Sequence, residues 1–547
     1  MLKPGGSRDV TRLGHDGDRS PGEPPSAGLW TLALLLFGIG FASRVAPLLT
    51  NGNRLFAQFP SEDGYLMLTI ARNLAAGLGM TTADGTIPTN GTQPLATLLW
   101  AGAFGIAGGD RELGVRLVLI LELLFSSLVP VALFYLGRGV LRERAYARSA
   151  SLLAGSTWYA SPVGLGLSMN CLETGLYALA TVLGIHAVLL LDEKCSARRL
   201  WLSGALLGAV FWVRNDAVFL IGSAGLAYVL VGGAGSREAT GRRIVQATVL
   251  GLVCAAIASP WLVYNYLGFG SIVPISGSSQ AMGGELGRNI VRLPAVLAQY
   301  LLVVVPISTP LEASWPNRIA GTAVVVAGVV HYRRVFQRGA RAERQMLLLV
   351  AFFALALSVY YAAFFGAPYF LKRYLFPLSP LLALGAAATL CGIGEGPRVR
   401  AWRRLLPLAS AALVGGLVLL VVPIYQRGDY SIHWAKWEWI QSNLREEDWV
   451  GAIQSGTIGF FHARTINLDG KVNPLALQAR RLGRFPGYVI RSPIEWLVDW
   501  PEILGQLTKW PVVQEEFEVV VEDPSRRLLV LRRRGAGAGA RRGGSAS

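Results

Sequence analysis

Charge is what this sequence most lacks. Of 547 residues only 16% are Asp, Glu, Lys or Arg, while 52% are hydrophobic and the mean hydropathy is +0.43. A soluble domain averages about 25% charged residues. The deficit, spread over several long apolar runs, excludes a single soluble globular domain and a disordered chain. Cysteine is scarce too. Cys171, Cys195, Cys254 and Cys391 sit in or beside apolar segments without metal or redox spacing, which excludes a disulfide scaffold. The five histidines are scattered, so no His-based metal site is legible. There is no Gly-rich phosphate loop. There is no internal repeat of the kind built into many transporters. Acidic residues are outnumbered, 34 against 51 Lys and Arg. Nucleic acid does not follow from that. Membrane proteins gather Lys and Arg in cytoplasmic loops, which accounts for most of the excess.

What is present is a series of apolar runs. They lie at 28–49, 113–137, 148–167, 171–191, 200–213, 215–232, 244–267, 319–332, 345–366, 374–391 and 405–425. Two more, 93–108 and 290–310, are ambiguous: the first is short for a span of about 20 residues, and Pro294 and Pro306 break the second. Basic clusters arbitrate. Arg138, Arg142, Arg144 and Arg148 form one; Lys194, Arg198 and Arg199 another; then Arg237, Arg242 and Arg243; then Arg333 to Arg344; then Arg398 to Arg404. All five face the cytoplasm if 93–108 and 290–310 lie at the outer interface. The expected fold is a polytopic α-helical membrane protein of about 11 transmembrane helices, with interfacial helices in its outer loops. Residues 1–27 read as a disordered cytoplasmic tail. Residues 28–425 form the membrane domain, with outer loops at 50–111 and 268–318. Residues 426–534 read as a small α/β domain outside the cytoplasm, with strands near 517–521 and 527–531, and 535–547 as a disordered tail. Trp434 and Trp437, three apart, are expected to anchor that domain at the membrane interface rather than stack sugars.

With this topology the polar residues of the outer side become informative. Ser61 can cap a helix whose apolar face is Leu66, Ile70 and Leu74, with Glu62 and Asp63 in its first turn. Acids there serve as dipole partners or as site carboxylates. Glu173 lies at the mouth of the 171–191 run, where a carboxylate needs solvent or a partner. Arg214 and Asp216 form a local ion pair or line a cavity. Lys372 and Arg373 oppose the positive-inside trend, as a snorkelling pair or as an anion site for a phosphate. Asn90-Gly91-Thr92 is a weak match to a glycosylation sequon. Carboxylates beside cations are what sugar transfer from a lipid phosphate requires. One carboxylate takes the acceptor proton, and cations offset charge on the departing phosphate.

Several motifs carry a resemblance. Glu62-Asp63-Gly64-Tyr65 leads to Ala71-Arg72-Asn73-Leu74-Ala75-Ala76-Gly77, and Pro88-Thr89-Asn90-Gly91-Thr92-Gln93-Pro94-Leu95 follows. Then come Leu172-Glu173-Thr174, Val213-Arg214-Asn215-Asp216-Ala217, Pro260-Trp261-Leu262-Val263-Tyr264-Asn265, Arg373-Tyr374-Leu375-Phe376-Pro377 and Ile466-Asn467-Leu468-Asp469-Gly470-Lys471-Val472-Asn473. In order and spacing these resemble the GT-C superfamily of integral-membrane glycosyltransferases, above all bacterial arabinofuranosyltransferase- and mannosyltransferase-like members. The resemblance spans roughly residues 28–475. It implies a polyprenyl-phosphate sugar donor, inversion at the anomeric carbon and Asp63 as catalytic base. Glu62 would raise the pKa of Asp63 or orient the acceptor. Glu173 would orient acceptor or hold a divalent cation, which some members use and others do not. Arg214, Lys372 and Arg373 would face the donor phosphate. Asn90, Gln93, Asn265 and Asp469 are candidate substrate contacts.

The chain departs from the relatives in three places. Glu62 stands where many have Asp, Gln93 where many have His, and Cys171-Leu172 where Gly-Met is usual. The implied acceptor is an envelope glycan, lipid or protein at the bacterial cytoplasmic membrane, with membrane lipids as further partners and no nucleic acid. A flippase for lipid-linked sugars and a non-catalytic envelope assembly protein are the alternatives. The long acid-bearing first loop and the missing repeats favour the enzyme.

Overall fold

Each described apolar run is helical in the computed structural model. The structure describes residues 24–535, apart from 193, 233–236, 283, 285, 286, 288, most of 302–338, 367–369, 395–405 and 427–431. Most of both expected tails, and much of the 319–332 run and of the 268–318 loop, therefore lie outside the described residues. Among the described residues, four helical segments are long and apolar enough to cross a bilayer by themselves: Ala27–Leu49, Arg111–Val140, Arg237–Phe269 and Arg341–Phe364. Shorter apolar helices pack among them, including Thr174–Leu189, Ala197–Val213, Ala217–Gly232 and Ser379–Gly394. The chain is a polytopic α-helical membrane protein.

Neither ambiguous run forms, in its described residues, a helix long enough to cross a bilayer. Residues 93–108 become the 13-residue helix Pro94–Ile106. At about 1.5 Å per residue it is well short of a bilayer's roughly 30 Å. The described part of 290–310 is a single 3-10 turn and the helix Leu293–Gln299. The 148–167 run is split. Proline lacks an N–H and disfavours helix before it, so Ala147–Ala160 stops at Ser161 and Pro162–Ser168 begins again. A buried arginine secures that second piece. Arg44 donates to Ser126 Oγ, Ser168 Oγ and the Tyr159 carbonyl, and its guanidinium lies 4.1 Å from the Tyr159 ring centroid. This fixes the chain just before residues 169–173.

The 50–111 loop carries the acidic helix Glu62–Ala75 and a small hairpin, β1 (Thr81–Thr82) and β2 (Ile87–Pro88). The C-terminal part builds a five-stranded mixed sheet from β3 (Val450–Ala452), β4 (Thr465–Asn467), β5 (Trp496–Asp499), β6 (Phe517–Asp523) and β7 (Leu528–Arg533). Its order is β4-β3-β5-β7-β6. The expected strand pair is the antiparallel hairpin β6–β7. The other three strands have three or four residues, all buried, so they show no alternation to read.

The tryptophans pack against other aromatic side chains of the protein. Trp437 stacks on Phe461 at 5.0 Å, Trp434 meets the same ring edge-on, and Trp439 packs on Trp496. Aromatic packing inside the protein buries more of each ring than an interface would. Phe460 reaches further, against Tyr65 and Phe104, while Arg72 donates to its carbonyl at 2.7 Å. The sheet region is thereby seated on the acidic helix.

Candidate active site

Ser61 caps the acidic helix through its Oγ, which accepts from Gly64 N at 3.0 Å. Ser61 N donates to the Asn170 carbonyl at 3.1 Å, so residues 169–173 lie over the helix start. This loop ends at Glu173, which precedes Thr174–Leu189 and is fully buried. Arg214 follows Ala197–Val213 in extended conformation, φ −155° and ψ 135°, so its side chain leaves the helix. Arg373 sits on the one-turn helix Leu371–Tyr374.

These residues converge in one row of alternating charge. Asp63 Oδ2 is 2.7 Å from Arg373 Nη1, and Asp63 Oδ1 is 3.0 Å from Lys471 Nζ. Arg373 Nη2 lies 3.5 Å from Glu173 Oε2. Glu173 Oε1 is 2.8 Å from Arg214, which is 2.6 Å from Asp216. At the other end Lys471 Nζ is 3.5 Å from Asp469. Tyr361 donates its hydroxyl to Asp216, and the Tyr374 ring lies 4.8 Å from the Arg214 guanidinium. Asp469, Lys471, Asp63, Arg373, Glu173, Arg214 and Asp216 thus form a continuous series.

Burial raises the Asp63 pKa, but Lys471 and Arg373 outweigh it and hold the group at about 2. Burial disfavours the Lys471 ammonium, yet Asp63 and Asp469 push its pKa up. Burial also raises the Asp469 pKa, with Asp63 adding and Lys471 opposing.

Of the ten candidates from sequence, five enter the row: Asp63, Glu173, Arg214, Arg373 and Asp469. Glu62 turns away. Its carboxylate accepts from Gly456 N at 2.6 Å, Thr457 N at 3.0 Å and Thr457 Oγ1 at 2.6 Å, with His433 Nδ1 at 3.3 Å. The Asp63 pKa is lowered, because its two cations outweigh whatever raises it. Lys372 is exposed and in no ion pair among the described residues. Asn90 and Asn265 are fully buried against each other, Asn90 Nδ2 donating to Asn265 Oδ1 at 3.0 Å. Asn90 Oδ1 also accepts from Ile275 N, which leaves the sequon asparagine no room for a glycan. The Gln93 side-chain oxygen is buried without a hydrogen-bond partner among the described residues.

Sequence reasoning missed Lys471. It lies 408 positions from Asp63, in a motif whose Asn and Asp drew attention first. Tyr361 and Tyr374 were missed as well, since tyrosines in apolar runs read as core.

Glu173 is the carboxylate that would hold a divalent cation, with Asp63 across Arg373 from it. The Arg373 guanidinium contacts both, and no group of three or more His, Cys, Asp or Glu able to hold a metal occurs among the described residues. The donor set as arranged does not fit a metal.

No family model matches the sequence, and no curated protein is recognisably similar. Solved structures are. ArnT from Cupriavidus metallidurans, bound to undecaprenyl phosphate, aligns with a TM-score of 0.59 at 15% identity, over 92% of this chain and 98% of that one. The archaeal oligosaccharyltransferase AglB from Archaeoglobus fulgidus, in complex with an inhibitory peptide and a dolichol-phosphate, aligns with a TM-score of 0.51 at 13% identity, over 94% and 76%. An Archaeoglobus fulgidus oligosaccharyltransferase complexed with zinc and sulfate gives 0.53 at 12%, over 90% and 71%. Across nearly its whole length the chain shares its fold with these structures.

Proposed function

We propose that the chain is an inverting glycosyltransferase. It moves a sugar from a polyprenyl-phosphate donor to an envelope glycan, lipid or protein on the outer face of the bacterial cytoplasmic membrane. The N-terminus is cytoplasmic and residues 426–534 form the outer domain. The observation that carries this reading is Asp63, an ionised carboxylate between cations on a GT-C fold. The acceptor hydroxyl oxygen attacks the anomeric carbon from the face opposite the phosphate. The bond from that carbon to the phosphate oxygen breaks, and its electron pair leaves with the polyprenyl phosphate. The hydroxyl proton passes to Asp63. Arg373 and Arg214 offset the charge on the leaving phosphate.

Glu173 orients rather than carries protons, because each of its oxygens faces a guanidinium. Glu62 braces the outer domain. Asn90 and Asn265 hold the first loop against residues 272–275. Gln93, with its unpartnered oxygen, is the candidate contact for a sugar or acceptor hydroxyl. Lys372 is placed for lipid headgroups.

The test is a transfer assay on the purified protein in lipid, with a panel of polyprenyl-phosphate sugars. Wild type transfers or releases one sugar, and Asp63→Asn binds that donor without turnover. Equal turnover by wild type and Asp63→Asn overturns the assignment of the base.

A further inference from the structure

The turn at residues 467–473 is built to present one side chain. Gly470 has φ +84°, and a Cβ there would lie 2.8 Å from Leu477 Cα, so glycine is required. Gly470 N donates to Asn467 Oδ1 at 3.0 Å, Lys471 N to Asp469 Oδ1 at 2.7 Å, and Asn473 Nδ2 to the Asn467 carbonyl at 2.8 Å. Two other segments grip the turn. Ser279 Oγ donates to the Asp469 carbonyl at 2.9 Å. Gly91 lies so close to the Lys471 carbonyl that any side chain there would collide with it. The product of all this is a lysine only 15% exposed, with its ammonium on Asp63.

That ammonium is the second cation on Asp63 and also lies 3.5 Å from Asp469. Asp63 already has Arg373. Desolvating a second cation is costly unless it meets an anion that needs it. Each oxygen of Asp63 holds a different cation, Lys471 on Oδ1 and Arg373 on Oδ2. Two oxygens of a phosphate can bridge the same pair in the same way.

We propose that Lys471 is a donor-phosphate residue, and that in the free protein Asp63 occupies the cations that the phosphate takes. An arriving polyprenyl-phosphate donor takes Lys471 and Arg373, and Asp63 is released to receive the acceptor proton. The inference rests on the proposed transfer reaction and adds to it an order, donor before acceptor. It also explains how a carboxylate so strongly paired becomes a base. Burial alone raises the Asp63 pKa, so losing its two cations moves it toward the working pH. The groups facing Asp63 are Lys471 and Asp469 from the turn, Arg373 and Tyr374 from Leu371–Tyr374, Glu173 and Arg214 beyond Arg373, and His433 before the Trp434–Asn443 helix.

The test uses the full chain in lipid nanodiscs and undecaprenyl phosphate as probe. Lys471→Met weakens binding of the probe by roughly tenfold or more, as loss of a charge-assisted contact does, and Lys471→Arg restores most of it. Asp63→Asn binds the probe more tightly than wild type, because the competitor for the cations is gone. In Lys471→Met the acid limb of kcat/KM moves to higher pH, since Asp63 keeps one cation instead of two. A lysine that only neutralises Asp63 would shift the acid limb but leave probe affinity unchanged in Lys471→Met. Unchanged affinity in Asp63→Asn overturns the proposal even if Lys471→Met fails to fold. A wild type that transfers sugar while Lys471→Met keeps donor affinity overturns the inference alone. A wild type that neither transfers nor binds the probe overturns the proposed function with it.

Discussion

Glu62 and Asp63 are neighbours in sequence, yet their carboxylates serve different parts of the molecule. Glu62 accepts the amides of Gly456 and Thr457, while Asp63 holds Arg373 and Lys471. Successive helical residues point about 100° apart. The first turn of the acidic helix therefore grips the outer sheet region with one acid and lines the site with the next.

Removing the proton acceptor leaves little chemistry. Asp63→Asn is expected to lower transfer by about 10²–10⁴-fold, the usual contribution of general base catalysis. Initial rates of transfer, with far-UV circular dichroism to show retained helix, check it.

Glu62→Gln is expected to loosen the seat of the sheet region. It weakens charge-assisted bonds to two amides and a hydroxyl, at a cost of roughly 1–3 kcal/mol. The effect depends on pH. Burial raises the Glu62 pKa, but His433, Lys436 and Thr457 outweigh it and leave it lowered in the folded protein. Its contribution is thus fully present above the unfolded value of about 4.3 and is lost as pH falls through the lower folded one. Thermal melts of wild type should lose stability through that acid window, and melts of Glu62→Gln should lose less. Parallel pH dependences would contradict the brace.

Arg214 joins Glu173 to Asp216 with 3% of its side chain exposed. Arg214→Met leaves Asp216 buried without its cation and Glu173 with Arg373 alone. An uncompensated charge of this kind costs about 3–5 kcal/mol. The variant should melt well below wild type, and Glu173→Gln combined with it should recover part of the loss. Additive losses would show that the two side chains are not coupled.

Asn90 is expected to stay unmodified in a glycosylating host, because its amide is buried and bonded to Asn265. Peptide mass spectrometry over residues 86–98 reads this directly. Asn90→Asp exchanges the donated amide for a second acceptor facing Asn265 Oδ1, and lowered stability should follow.

Composition and charge patterning were enough for the membrane class, for the described helices and for the shortness of the helix at 94–106. Those properties follow from solvent. Apolar runs must leave water, and arginines stay on one side, whatever the helices pack against. Asp63, Glu173, Arg214 and Arg373 were legible because acids and cations at membrane mouths need partners. The three short strands were not, since a strand buried on both faces has no alternation. Nor was the inward packing of Trp434 and Trp437, because an aromatic at helical spacing suits a membrane interface as well as a protein core.

The sequence by itself determined what kind of solvent this protein lives in and which ionisable side chains would have to find partners there. Only the tertiary structure decided who those partners are. Asp63 meets a lysine 408 residues away, Glu62 meets a pair of backbone amides, and Asn90 meets another asparagine. Pairing of charges is a short-range property of positions in space. Burial sets how much each pair matters, and neither distance nor burial is written in the order of residues along the chain.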